Sequence, residues 1–138
     1  MKRINLFWIL SIFCIISCNS NRELRISNPI LDGYFADPSI VLHEGKYYIY
    51  ATIDPWGGDE LAVFETSDFV NFDRKHINWP TKSACTSPTS GRDMVWAPSV
   101  VKGTDGMFHM YVSVGNEIWA GVAAHPLGPW KNAKQDNT

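Results

Sequence analysis

From residue 39 onward the apolar residues come in short runs with a two-residue rhythm. No segment holds a 3.6-residue apolar period over three turns. The runs are Ser39-Ile40-Val41-Leu42, Tyr47 to Thr52, Leu61 to Thr66, Ser99-Val100-Val101-Lys102, Phe108 to Ser113 and Ile118 to Ala123. They are rich in β-branched and aromatic residues, which suit a pleated, half-buried surface. Turn formers separate them: His43-Glu44-Gly45-Lys46, Trp56-Gly57-Gly58-Asp59, Gly103-Thr104-Asp105-Gly106 and Val114-Gly115-Asn116. The pattern predicts an all-β chain of antiparallel hairpins.

The pattern also repeats. Asp37-Pro38-Ser39-Ile40-Val41 aligns with Ala97-Pro98-Ser99-Val100-Val101, and Gly45 to Tyr50 aligns with Gly106 to Tyr111. Asp68-Phe69-Val70-Asn71-Phe72 then aligns with Pro126-Leu127-Gly128-Pro129-Trp130. Each unit holds a Pro-Ser strand, a Gly turn, an aromatic strand, a third strand and a closing aromatic beside a fourth. That is the outline of a four-stranded propeller blade. Blades need neighbours to bury both faces, and about four close a ring. Residues 28–138 are therefore expected to form blades 1 and 2 of a longer, truncated propeller, with a third blade beginning near Lys131.

The N-terminus has a different pattern. Lys2 and Arg3 precede an uncharged apolar run, Ile4 to Cys18. The run is short of the roughly 20 apolar residues a bilayer span needs, so it reads as a secretory signal. Ile15-Ile16-Ser17-Cys18 has the form of a bacterial lipobox, with Ile15 where Leu is more usual. Residues 1–17 are expected to be a lipoprotein-type signal peptide, Cys18 the lipid attachment site and residues 18–27 a tether. The other reading is an uncleaved anchor helix. The expected location is across the inner membrane of a bacterium, lipid-anchored at the outer membrane or periplasmic, with the membrane as a partner.

Composition narrows the function. The 138 residues are 45% hydrophobic and 19% charged, with a net charge of −2, which speaks against a nucleic-acid partner. Six Trp residues offer core anchors or platforms for sugar rings. Cys14 would leave with the signal and Cys18 would carry lipid, so Cys85 stands alone, a loop or buried thiol. His43, His76, His109 and His125 show no ligand spacing, and Asp105-Gly106 matches a hairpin turn. No metal or cofactor is expected.

Asp37 is the strongest candidate for chemistry. It opens the innermost strand of the first unit, where a carboxylate would point toward the propeller axis, and Ala97 holds the matching place in the second. An Asp-Pro turn opener is the plainer reading. Trp96 precedes Ala97 and could line a sugar site or pack between blades. Asp54 and Trp56 follow the second strand and could bind a sugar hydroxyl and a ring face, or simply form a turn. Trp79 and Arg92-Asp93 are weaker candidates.

Taken together, Asn28-Pro29-Ile30-Leu31, Ala36-Asp37-Pro38-Ser39-Ile40, Gly45 to Tyr50, Val95-Trp96-Ala97-Pro98-Ser99-Val100 and Pro126 to Trp130 resemble glycoside hydrolase family 43 over residues 28–131. The resemblance implies a five-bladed propeller and hydrolysis with inversion, with Asp37 as general base. It further implies that Trp96 lines the sugar subsite. The substrate class would be arabinose- or xylose-containing plant polysaccharide or oligosaccharide, with an arabinofuranosidase or β-xylosidase favoured. The family's pKa-tuning carboxylate and general acid would fall beyond Thr138. Ser99 departs from the Asp often found at that place. Two rivals remain. One is a retaining five-bladed glycosidase using Asp37 as nucleophile, which would usually carry Asn where this chain has Ala36. The other is a non-catalytic, surface-anchored sugar-binding protein or an inactive relic.

Overall fold

The computed structural model describes residues 25–53 and 57–133. It holds eight strands in two four-stranded antiparallel sheets. The first sheet, blade 1, runs β1 (Phe35–His43), β2 (Lys46–Ile53), β3 (Ala62–Thr66) and β4 (Asp73–Lys75). The second, blade 2, runs β5 (Val95–Lys102), β6 (Phe108–Val114), β7 (Glu117–Ala123) and β8 (Lys131–Ala133). In both sheets the spatial order is the sequence order. This is the blade architecture that the repeat predicts.

Two boundaries differ from the sequence expectation. The inner strands begin at Phe35 and Val95, ahead of the Pro-Ser pair rather than at it. Pro38 and Pro98 have no N–H to give the ladder, so each strand bulges there instead of ending. Pairing moves from Ala36↔Thr52 to Ser39↔Tyr50 in blade 1, and from Trp96↔Ser113 to Ser99↔Tyr111 in blade 2. At the other end, Lys131–Ala133 pair with β7 and complete blade 2. They do not open a third blade.

The main core lies between the blades. Tyr48, Tyr50, Leu61 and Val63 from blade 1 meet Val95, Phe108, Met110, Val112 and Val114 from blade 2, all buried. A second cluster, Ile49, Ala51, Ala62 and Phe64, fills the opposite face of blade 1 under Leu31, Phe35, Phe69 and Phe72. Strand β2 is thus covered on both sides, which is why its sequence is nearly all apolar or aromatic rather than alternating.

Polar contacts lock the two sheets. The Tyr50 hydroxyl donates to the Pro126 carbonyl (2.6 Å), which also accepts from Trp130 Nε1 (3.1 Å). Burial pushes the Tyr50 phenol far above its ordinary titration range. Asn78 acts as a one-residue strand. Its side-chain amide donates to the Trp130 carbonyl and accepts from the Trp130 N–H, both at 2.8 Å. Trp79 is buried, and a methyl at Gly121 would overlap its ring. Trp79 is therefore an interblade core residue, and its candidacy as a sugar platform falls. Cys85 is a free, buried thiol, and burial pushes its pKa up.

Candidate active site

Strand β5 is an edge strand of its sheet, and unpaired edge amides need acceptors. Blade 1 supplies two. Ser39 Oγ accepts from Val100 N (2.8 Å), and Thr52 Oγ1 accepts from Ala97 N (2.7 Å). The Pro-Ser motif of blade 1 is in this respect an interblade stitch. A third link is the bridge between Gly58 and Val95, with N–H···O distances of 3.0 and 3.3 Å.

Asp37 sits on the bulge of β1 with its side chain exposed. Its φ is +49°, in the left-handed region. Ala97, on the matching bulge, has φ +51°. Asp tolerates this region better than Ala does. The backbone shape is therefore common to both blades, and the carboxylate is particular to blade 1. Thr52, 3% exposed, donates its hydroxyl to Asp37 Oδ2 at 3.1 Å. An unbroken line runs from the Ala97 amide through the Thr52 hydroxyl to the Asp37 carboxylate.

Trp96 stands next to Ala97 and is 43% exposed. It belongs to neither core cluster of the described residues. Gly57 closes against it. With φ +80°, a Cβ at Gly57 would come within 3.0 Å of the Val95 carbonyl and 3.4 Å of Trp96 Cβ. Asp37, Thr52, Ala97 and Trp96 are thus gathered at one point of the blade junction. Asp54 and Trp56, expected beside them, lie outside the described residues, as does Cys18.

Asp93, a weaker candidate, and two other acidic residues have other work. Asp93 pairs with Lys82 (3.9 Å), which also reaches Asp59 (3.5 Å). These three share an open groove with Thr81, Ser83 and Thr86. Glu117 is bound by Thr89 and Ser87, and those hydrogen bonds hold its carboxyl below the ordinary range. Sequence reasoning did not single out Thr52. The repeat carries a signal for it, because Ser113 occupies the matching place in β6. His109 is a strand residue that pairs with Asp105 (3.0 Å). Among the described residues no group of three His, Cys, Asp or Glu side chains could hold a metal ion, and no helix is long and apolar enough to cross a membrane.

The family model for "Glycosyl hydrolases family 43" matches residues 26–137. The chain belongs to glycoside hydrolase family 43. Among curated relatives, an arabinoxylan arabinofuranohydrolase of Bacillus subtilis (strain 168) is 25% identical, over 87% of this chain and 28% of its own length. A β-D-galactofuranosidase of Aspergillus niger is 26% identical, over 78% of this chain and 35% of its own length. Among solved structures, a thermostable family 43 glycoside hydrolase is 26% identical with a TM-score of 0.59, covering 80% of this chain and 36% of that one. The chain therefore spans about a third or less of these relatives. The family 43 fold is a five-bladed β-propeller, and the residues described here supply two of its four-stranded blades.

Proposed function

We propose that this chain supplies the base-bearing part of an inverting family 43 glycosidase, with Asp37 as the general base. The observation that carries the reading is the state of the Asp37 carboxylate. It is exposed on a bulge at the blade junction and held through Oδ2, while the matching residue on the same backbone is an alanine. An inverting enzyme needs a carboxylate to deprotonate a water on the face opposite the leaving group, with the acid ~6.5–9.5 Å away. Oδ1 is the oxygen left for that water. Exposed Trp96 beside the bulge offers a face for the C–H surface of a sugar ring. The general acid would come from blades outside these residues, so the two blades alone are not expected to turn over substrate.

A pentose-containing substrate is the narrower proposal, of the arabinofuranosidase or β-xylosidase type. The name of the Bacillus relative supports the former, and the galactofuranosidase marks the competing sugar. The test is to extend the reading frame past codon 138 and assay the product on aryl arabinofuranoside, xyloside and galactofuranoside. An Asp37→Ala control runs beside it. Cleavage that depends on Asp37 and inverts the anomeric centre supports the reading. Full activity without Asp37 overturns it, and binding without cleavage by the extended product favours a sugar-binding protein. We also propose lipid anchoring at Cys18. The expected result is palmitate labelling of the wild type and none of Cys18→Ser; equal labelling refutes it.

A further inference from the structure

We propose that Thr52 is a positioning residue for the Asp37 base. The inference rests on the reading of Asp37 given above. Thr52 Oγ1 lies between two groups of fixed polarity. The Ala97 amide can only donate, and it occupies a lone pair of the hydroxyl at 2.7 Å. The hydroxyl proton must then point elsewhere, and its partner is Asp37 Oδ2 at 3.1 Å. The amide removes the rotational choice that a threonine hydroxyl ordinarily has. With Thr52 buried at 3%, water does not compete for that proton, and polarised chains of this kind strengthen each member.

Two consequences follow for a base. The carboxylate is pinned through one oxygen, Oδ2, by a donor that is itself fixed. The geometry of the base is also tied to blade 2, because the amide that orients Thr52 belongs to the bulge of β5. The left-handed backbone at Ala97 (φ +51°) gains a purpose here. The bulge presents the residue 97 amide to blade 1, and a regular strand edge would present it elsewhere. The base in blade 1 is thus set, through Thr52, by a backbone amide of blade 2 that lies 45 residues after that threonine.

The experiment uses the complete reading frame containing this chain, assayed on the best aryl glycoside, with Thr52→Val, Thr52→Ala, Thr52→Ser and Asp37→Ala. Thr52→Val keeps the shape and loses the hydroxyl; Thr52→Ala serves if the valine variant does not fold. The expected result for a folded hydroxyl-less variant is a kcat lower by ~10- to 100-fold with KM little changed. Thr52→Ser restores most of kcat. A hydroxyl-less variant with wild-type kcat overturns the inference, and so does a serine variant as impaired as the valine one. Asp37→Ala separates the two readings. If it retains activity, the base assignment itself fails; if it is inactive while Thr52→Val is normal, only the role of Thr52 fails.

Discussion

At residue 37 and again at residue 97 an inner strand bulges at a proline, with φ at 49° and 51°. One position carries a carboxylate and the other a methyl. Backbone strain alone would have marked both as functional. The comparison shows that the strain belongs to the blade and the chemistry to one side chain. It also shows what the bulge does where there is no carboxylate. In blade 2 it delivers an amide to the neighbouring blade.

The blades differ as plainly in what covers them. Tyr50 and Tyr111 hold the same place in the repeat, yet Tyr50 is 0% exposed and Tyr111 is 47% exposed. The face that blade 1 turns toward blade 2 is packed, and among the described residues the equivalent face of blade 2 leaves Tyr111, Val101 and Ile118 open, the face a following blade would cover in a five-bladed propeller.

The largest expected effect comes from making blade 1 resemble blade 2. Asp37→Ala should lower kcat of the extended protein by about 10²- to 10⁴-fold. Its stability should fall by about 1–3 kcal/mol at most, from the Thr52 hydroxyl left unpaired and an alanine at φ +49°. Activity assays paired with urea unfolding check both halves. A large loss of stability would make Asp37 a scaffold residue instead.

Next come the paired tyrosines. Tyr50→Ala removes a buried ring and its hydrogen bond to Pro126, and should cost ~3–5 kcal/mol. Tyr111→Ala should cost about 0.5 kcal/mol or less in the residues described here. Equal costs in the complete protein would mean that its remaining part covers Tyr111, which sharpens the comparison. Gly121→Ala should cost ~1–3 kcal/mol by driving a methyl into Trp79. A neutral result in thermal melts would show that the interblade wedge has slack.

The repeat explains how much could be read beforehand. Strand order, hairpin turns and the special place of Asp37 all follow from local patterning and from one mismatch between two aligned units. The roles of Thr52 and Asn78 were not legible that way, although the repeat does set a hydroxyl residue, Ser113, at the place matching Thr52. Thr52 looks like one more β-branched residue in a strand, and Asn78 like loop filler beside a more conspicuous tryptophan. Each acquires its role from a partner about 50 residues away, Ala97 for one and Trp130 for the other. The conspicuous neighbour, Trp79, turned out to be buried. Periodicity reports which face a side chain takes, and not what waits on that face.

The smallest expected effect concerns the turn that closes each unit. Blade 2 closes it with Pro126 to Trp130, clamped by the neutral amide of Asn78. Blade 1 closes it with a charge. The Asp68 carboxylate accepts from the Asn71 and Val70 amides and from the Asn71 side chain at 2.7–2.9 Å. Those bonds, the Asn71 amide first, lower its pKa to about 2 from 3.8. The folded value lies below the unfolded one, so the stabilisation is complete above about pH 4 and is lost as pH falls toward 2. Acidification should therefore loosen blade 1 at residues 66–72 and leave the blade 2 turn unchanged. Amide exchange at Val70 and Asn71 between pH 4 and 2, compared with that at Gly128 and Trp130 and corrected for intrinsic rates, measures the difference. In Asp68→Asn the extra acid sensitivity of blade 1 should vanish. If the two turns loosen together, Asp68 is not what holds the blade 1 turn, because the blade 2 clamp contains no group that titrates in that range.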